Sequence, residues 1–260
     1  MKSIPVLLLS LGVSAIAGAS EIATLLGRPD ATQDFVQRTL KESLSVDAGY
    51  ADPEVEHSTH TFSLLDRGGV REITNVEVLS QPGVSTQDLV VRGLRSGALK
   101  AGVVLAPLGP TYGSSAGALC AALDNSDTVY VFPAGNEAQS LDSRVAENPD
   151  CFRENVIRVA ALDEAGVGLA FFSNFGKQVE VAAPGTKIPV VGPGGEMTAI
   201  TGSSLASTLV AARLVDFARQ HSDLRGAPLA RAFLAAETQA LPSLEGKIAG
   251  ARALSAPKSP

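Results

Sequence analysis

What the chain has little of narrows its function first. Cysteine is scarce: the two present, Cys120 and Cys151, stand at no metal-ligand spacing, so a thiolate metal site is not expected. In an exported chain they form a candidate pair, a bond that sequence alone does not establish. His57 and His60 come without a His-Glu-x-x-His pattern or a clear third ligand. Gly166-x-Gly168 lacks the third glycine of a dinucleotide fingerprint. No cluster of Lys and Arg occurs, and the formal net charge is −6, which argues against nucleic acid as a partner. No segment beyond the first residues is apolar for long enough to span a bilayer. Repeats, linkers and low-complexity blocks are absent, so nothing suggests a second domain.

What remains is a chain of 260 residues, 45% apolar, suited to one well-cored domain. Lys2, the apolar run Ile4 to Val13, and the small residues Ala15-Ile16-Ala17 and Ala17-Gly18-Ala19 form the three-part pattern of a secretory signal peptide. Residues 1–19 are therefore expected to be removed, with residues 20–43 a short N-terminal segment and 44–260 the folded domain. The chain is then secreted or periplasmic, with no membrane contact after signal removal. Residues 27–45 read as largely helical, through Phe35, Val36, Leu40 and Leu44, with Leu44-Ser45-Val46 a short strand-like run at the end. Strand-like runs at 73–79, 102–108, 128–132, 156–161 and 179–183 alternate with helical patterns at 85–99, 114–123 and 228–240. That alternation predicts a three-layer α/β fold, a mostly parallel sheet with helices on both faces. The Phe171-Phe172 pair reads as core.

The chemistry gathers around Ile200-Thr201-Gly202-Ser203-Ser204, where a strand-like run meets an apolar helical one. A serine there faces unpaired N–H groups and the positive end of a helix dipole. It is read either as a helix cap or as a nucleophile. Three other stretches supply what a nucleophile needs: Asp47-Ala48-Gly49, His57-Ser58-Thr59-His60, and Pro133-Ala134-Gly135-Asn136. They offer an acid, a base and a polar donor, the parts for acyl transfer.

At these residues the chain resembles the subtilisin-like serine peptidases. Gly202-Ser203-Ser204-Leu205-Ala206-Ser207 is similar to that family's serine box, and the order Asp, His, Ser is the subtilisin order. Asn155 to Ala161, Phe172-Ser173-Asn174-Phe175-Gly176 and Val181 to Gly185 look like its connecting strands. The resemblance implies a serine endopeptidase acting on polypeptides, with Ser204 as nucleophile, His57 as base, Asp47 orienting it, and Asn136 in the oxyanion site. It also implies substrate pairing along Val104 to Gly109, with Leu108, Gly109, Ala134 and Gly135 at the pocket. No cofactor is required by this reading; calcium, common in the family, maps to no complete ligand set here.

The chain departs from the family in places. Asp47 and His57 are ten residues apart, where the family places another strand. The stretch before Asp47 leaves little room for a first strand, and Asp30 and Asp52 are further candidates for the carboxylate. Pro107, Ser58 and Thr208 replace residues usual in the family. These departures open an alternative: a pseudopeptidase that binds peptides or a protein partner without cleaving. The uncharged walls 104–109 and 133–135 predict a weak preference for apolar or small P1 side chains.

Overall fold

The computed structural model describes residues 7–8, 21–26, 29–45, 55–77, 84, 86–95, 101–108, 116–123, 125–143 and 153–256. Its main sheet grows from short apolar strands: β1 (Leu7–Leu8), β2 (Ile22–Leu26), β3 (Leu40–Ser45), β4 (Ile73–Glu77), β5 (Val103–Leu105), β6 (Val129–Pro133), β7 (Val156–Leu162) and β8 (Val181–Pro184). The late strands β11 (Thr238–Ala240) and β12 (Arg252–Leu254) complete it in the order β1-β3-β4-β2-β5-β6-β7-β8-β12-β11, parallel except for β11 against β12. A separate antiparallel hairpin joins β9 (Ile188–Val191) to β10 (Met197–Ile200).

Near-continuous β-branched runs mark strands buried on both faces, and the two-residue period divides them between two cores. Val129 and Val131 of β6 join the core under α1 (Asp34–Thr39), α2 (Val55–Arg67), α5 (Ser203–Gln220) and α6 (Gly226–Glu237). Tyr130 and Phe132 turn to the opposite core, under α3 (Thr86–Arg95) and α4 (Ala116–Ala122). The three expected layers are present. Cys120 of α4 is disulfide-bonded; Cys151 lies outside the described residues.

The N-terminal third differs most from expectation. The helix over 27–45 is only α1; from Leu40 the chain is strand, because Lys41 to Ser45 pair with β4. The room thought too small for a first strand holds β2, which lies at the middle of the sheet between β4 and β5. Of residues 20–43, read as a segment ahead of the domain, β2 and the start of β3 are strands of its main sheet. Glu21 fixes the start of β2: it accepts the Arg71 and Glu72 N–H groups (2.6 and 3.1 Å) and an ion pair from Arg219 (2.7 Å). β1, inside the expected signal, pairs with β3 at the edge of the sheet among the described residues.

α2 and α5 run side by side, in the same direction. Arg219 near the end of α5 donates to the Gly69 carbonyl just past α2 (2.9 Å). A Cβ built on Gly68 would stand 2.5 Å from Ala212 Cβ, and nearer the helix starts Leu64 shares a cluster with Leu205 and Leu209. Gly68→Val should force the helices apart and cost about 1–3 kcal/mol, the usual range for overpacking. Chemical denaturation would read this as a lowered midpoint; an unchanged midpoint would mean the contact yields freely.

Candidate active site

Strand order reverses around β2: the chain leaves it for β3 and β4 on one side, then crosses to β5 and beyond on the other. In open α/β sheets the crevice outside the strands' carboxyl ends at such a point is the usual ligand site. Three of the sequence-predicted residues, Asn136, Ser204 and His57, lie on elements that end or begin at that edge. Asn136 lies just beyond β6. Ser204 is the second residue of α5. His57 is the third residue of α2, and the α2–α5 register carries it towards the start of α5.

The best-defined part is the corner between β6 and α5. Ser203, fully buried, donates its N–H to Asn136 Oδ1 (2.9 Å), and its Oγ accepts the Gly135 N–H (3.2 Å). An N–H must meet the oxygen of an amide, so the Asn136 Nδ2 is the end left to face outward. A Cβ on Gly202 would lie 3.3 Å from Ser204 Oγ and 4.0 Å from Asn136 Nδ2. The bare glycine therefore keeps a small space open between hydroxyl and amide. Ser204 is half-buried and Asn136 exposed. The Ser204 N–H belongs to a first helical turn, whose N–H groups have no intrahelical acceptor. Its carbonyl accepts from the hydroxyls of Ser207 and Thr208 (2.7 and 2.8 Å).

His57 is half-buried, and burial, with the neighbouring His60 charge second, lowers its pKa to about 4. Burial lowers His60 as well, against the pull of Glu56 and Glu196; Glu56 Oε1 lies 3.9 Å from His60 Nε2. Asp47 and Asp52 lie outside the described residues, as does Gly109. β3, which precedes Asp47, is separated from β2 by β4. Asp30 stands beside α2, its backbone N–H donating to Thr59 Oγ1 (2.9 Å). Its carboxylate instead closes its own turn, accepting from the Thr32 N–H, the Thr32 hydroxyl and Gln33 Nε2 (2.9, 2.8 and 3.2 Å).

Leu108 is half-buried, packed against both cores. Ala134 and Gly135 direct their backbone groups inward: Ala134 N–H to Val159 O (2.8 Å), and Gly135 O to the Asn174 N–H (3.1 Å). Residues 172–176, expected as a strand, form a loop instead, and Phe171 is 92% exposed rather than core. That loop holds what the sequence reading missed. Asn174 and Glu137 both bond to the Asn136 corner, and the only signal for them was proximity to family-like segments. Among the described residues, no group of three or more His, Cys, Asp or Glu side chains is placed to hold a metal. No helix among them is long and apolar enough to cross a membrane.

These features define a doubly covered parallel α/β protein with a serine–amide corner at its carboxyl edge. The Subtilase family profile matches residues 70–236, and the chain belongs to that family. It is 30% identical over 168 residues to a subtilisin-like protease of Coccidioides posadasii, covering 60% of this chain and 41% of that one. It is 25% identical over 209 residues to the cell wall-associated protease of Bacillus subtilis, covering 73% of this chain and 23% of that protein. The chain thus spans less than half the length of these curated relatives. In fold it is similar to the A-subunit of the AB5 toxin from E. coli, with a TM-score of 0.73, 22% identity and 91% of each chain covered. A cold adapted subtilisin-like serine proteinase gives a TM-score of 0.66, with 21% identity and 93% of each chain covered.

A histidine whose folded pKa is depressed favours the neutral form, so lowering the pH from 6.5 towards 4 protonates the unfolded chain first and reduces stability. NMR titration should find the His57 imidazole changing charge near pH 4, with the unfolding free energy falling across the same interval. A midpoint near 6.5 would mean that a neighbouring carboxylate offsets the burial.

Proposed function

We propose that this chain is an exported serine endopeptidase that works through an acyl-enzyme on Ser204. The observation that carries the reading is the Asn136 amide, anchored through Oδ1 by Ser203 so that its donor end faces the Ser204 corner. Ser204 Oγ adds to the peptide carbonyl while His57 takes its proton. The oxyanion is bound by Asn136 Nδ2 and the Ser204 N–H. The C–N bond then breaks, His57 returning the proton to the departing amine. Water, deprotonated by His57, adds to the acyl ester; the carboxylate product leaves and Ser204 recovers its proton. Asp47 holds the imidazole tautomer throughout. Polypeptides are the substrates, and no cofactor takes part.

Ser204→Ala should abolish casein hydrolysis and labelling by a fluorophosphonate probe. Asn136→Ala should lower kcat by roughly 100- to 1000-fold, a magnitude taken from a subtilisin. Folded wild-type protein that neither labels nor cleaves would sink the reading. A second reading, a peptide-binding pseudopeptidase, is favoured by the Asp30 carboxylate, which closes its own turn although its backbone abuts α2. Asp47→Asn separates the two: a loss of about 10⁴-fold in kcat supports the triad, the size known for the wrong-tautomer effect. Casein bound by the wild type but not hydrolysed supports the second.

The uncharged walls of the expected pocket support apolar or small P1 residues, and a cleavage profile dominated by Lys or Arg would overturn this. Export rests on the N-terminal pattern, and Glu21 supports a boundary just ahead of it, since that carboxylate anchors β2. The mature protein should begin at or shortly before Ser20, as read by N-terminal sequencing; a start beyond Glu21 would exclude the assignment.

A further inference from the structure

We infer that Asn174, assisted by Glu137, is a positioning residue for Asn136. The inference rests on the reading of Asn136 as the oxyanion donor. Asn174 is 3% exposed, and its side-chain amide is fully engaged. Oδ1 accepts the Glu137 and Gln139 N–H groups (3.2 and 2.8 Å), and Nδ2 donates to the Ala134 carbonyl and to Glu137 Oε2 (3.0 and 2.5 Å). Both hydrogens and both lone pairs of the amide are used. These bonds grip the chain on both sides of Asn136. The residue itself is gripped by the Glu137 carboxylate, which accepts the Asn136 N–H (3.0 Å).

Gly135 belongs to the same device. Its φ is +106°, in the region that favours glycine. A Cβ there would overlap Asn174 Nδ2 and fall 2.6 Å from Glu137 Oε2. Asn174 is in turn tied to the sheet, because Ser173 Oγ accepts the Ala161 N–H (2.9 Å) and donates to Asn174 O (3.0 Å). Asn136 is thus located twice over: its backbone by the Asn174–Glu137 brace, and its side chain by the Ser203 N–H. A donor aimed at developing charge is useful only when held in place beforehand, and a displacement of about 1 Å can cost on the order of 100-fold in rate.

The test is a double-mutant cycle, read on a chromogenic peptide with an apolar P1 residue and as the rate of fluorophosphonate labelling. Asn174→Ala should lower kcat by about 10- to 100-fold with KM changed less than about twofold, because the lost alignment matters only when charge develops. In an Asn136→Ala background the same substitution should have little further effect. Glu137, an exposed residue whose replacement spares the core, gives a second arm. Glu137→Ala should lower kcat, and Glu137→Gln should restore it, since an amide oxygen can accept the same two bonds. Losses that multiply independently of Asn136, or a Glu137→Ala variant with wild-type kcat, would overturn the inference. If Asn136→Ala itself leaves kcat unchanged, the oxyanion reading falls, and this inference with it.

Discussion

The two hydrogen bonds of Ser203 are the constraint on which the candidate site depends. One buried serine joins the end of β6 to the start of α5, using its hydroxyl for Gly135 and its backbone N–H for Asn136. The helix cannot shift against the sheet without losing both, and losing them would leave buried polar groups unpaired. Ser204 and the Asn136 amide therefore share one rigid reference. The far end of α5 is held separately, by Arg219 on Glu21 and on the Gly69 carbonyl. A helix fixed at both ends and buried between its neighbours makes a stiff mount for a nucleophile.

The centre of the sheet has a second consequence. β2 occupies the strand position where connection order reverses, so its carboxyl end opens onto the candidate crevice. The first described acid beyond it, Asp30, meets α2 through its backbone while its carboxylate closes a local turn. Asp47 follows β3, which β4 separates from β2. The carboxylate partner of His57 is therefore the element that most separates a peptidase from a binding protein.

Much of this was legible in the linear chain. Mainly apolar runs announced strands buried on both faces, as in 156–162, where every residue is buried. The serine corner could be located because a glycine, three serines and an apolar helix occur together. Other features were not legible because they depend on pairing between distant segments. The run 40–43 turned from helix to strand because β4 offered a ladder partner. The run 22–26 was too short to be read as a strand from the sequence, and its central place came from neighbours on both sides.

The sequence by itself determined the α/β class and the family, and it named the candidate serine, histidine and amide, because these reside in local periodicity and in residue types at short spacing. Only the tertiary structure decided which strand lies at the centre, that Ser203 ties the start of α5 to Gly135 and Asn136, and that Asn174 bonds to the chain on both sides of Asn136. The hydrogen bond between the Asn174 amide and the Glu137 carboxylate joins segments too distant in the chain to leave a periodic trace. Its geometry exists only once the two loops meet over the end of the sheet.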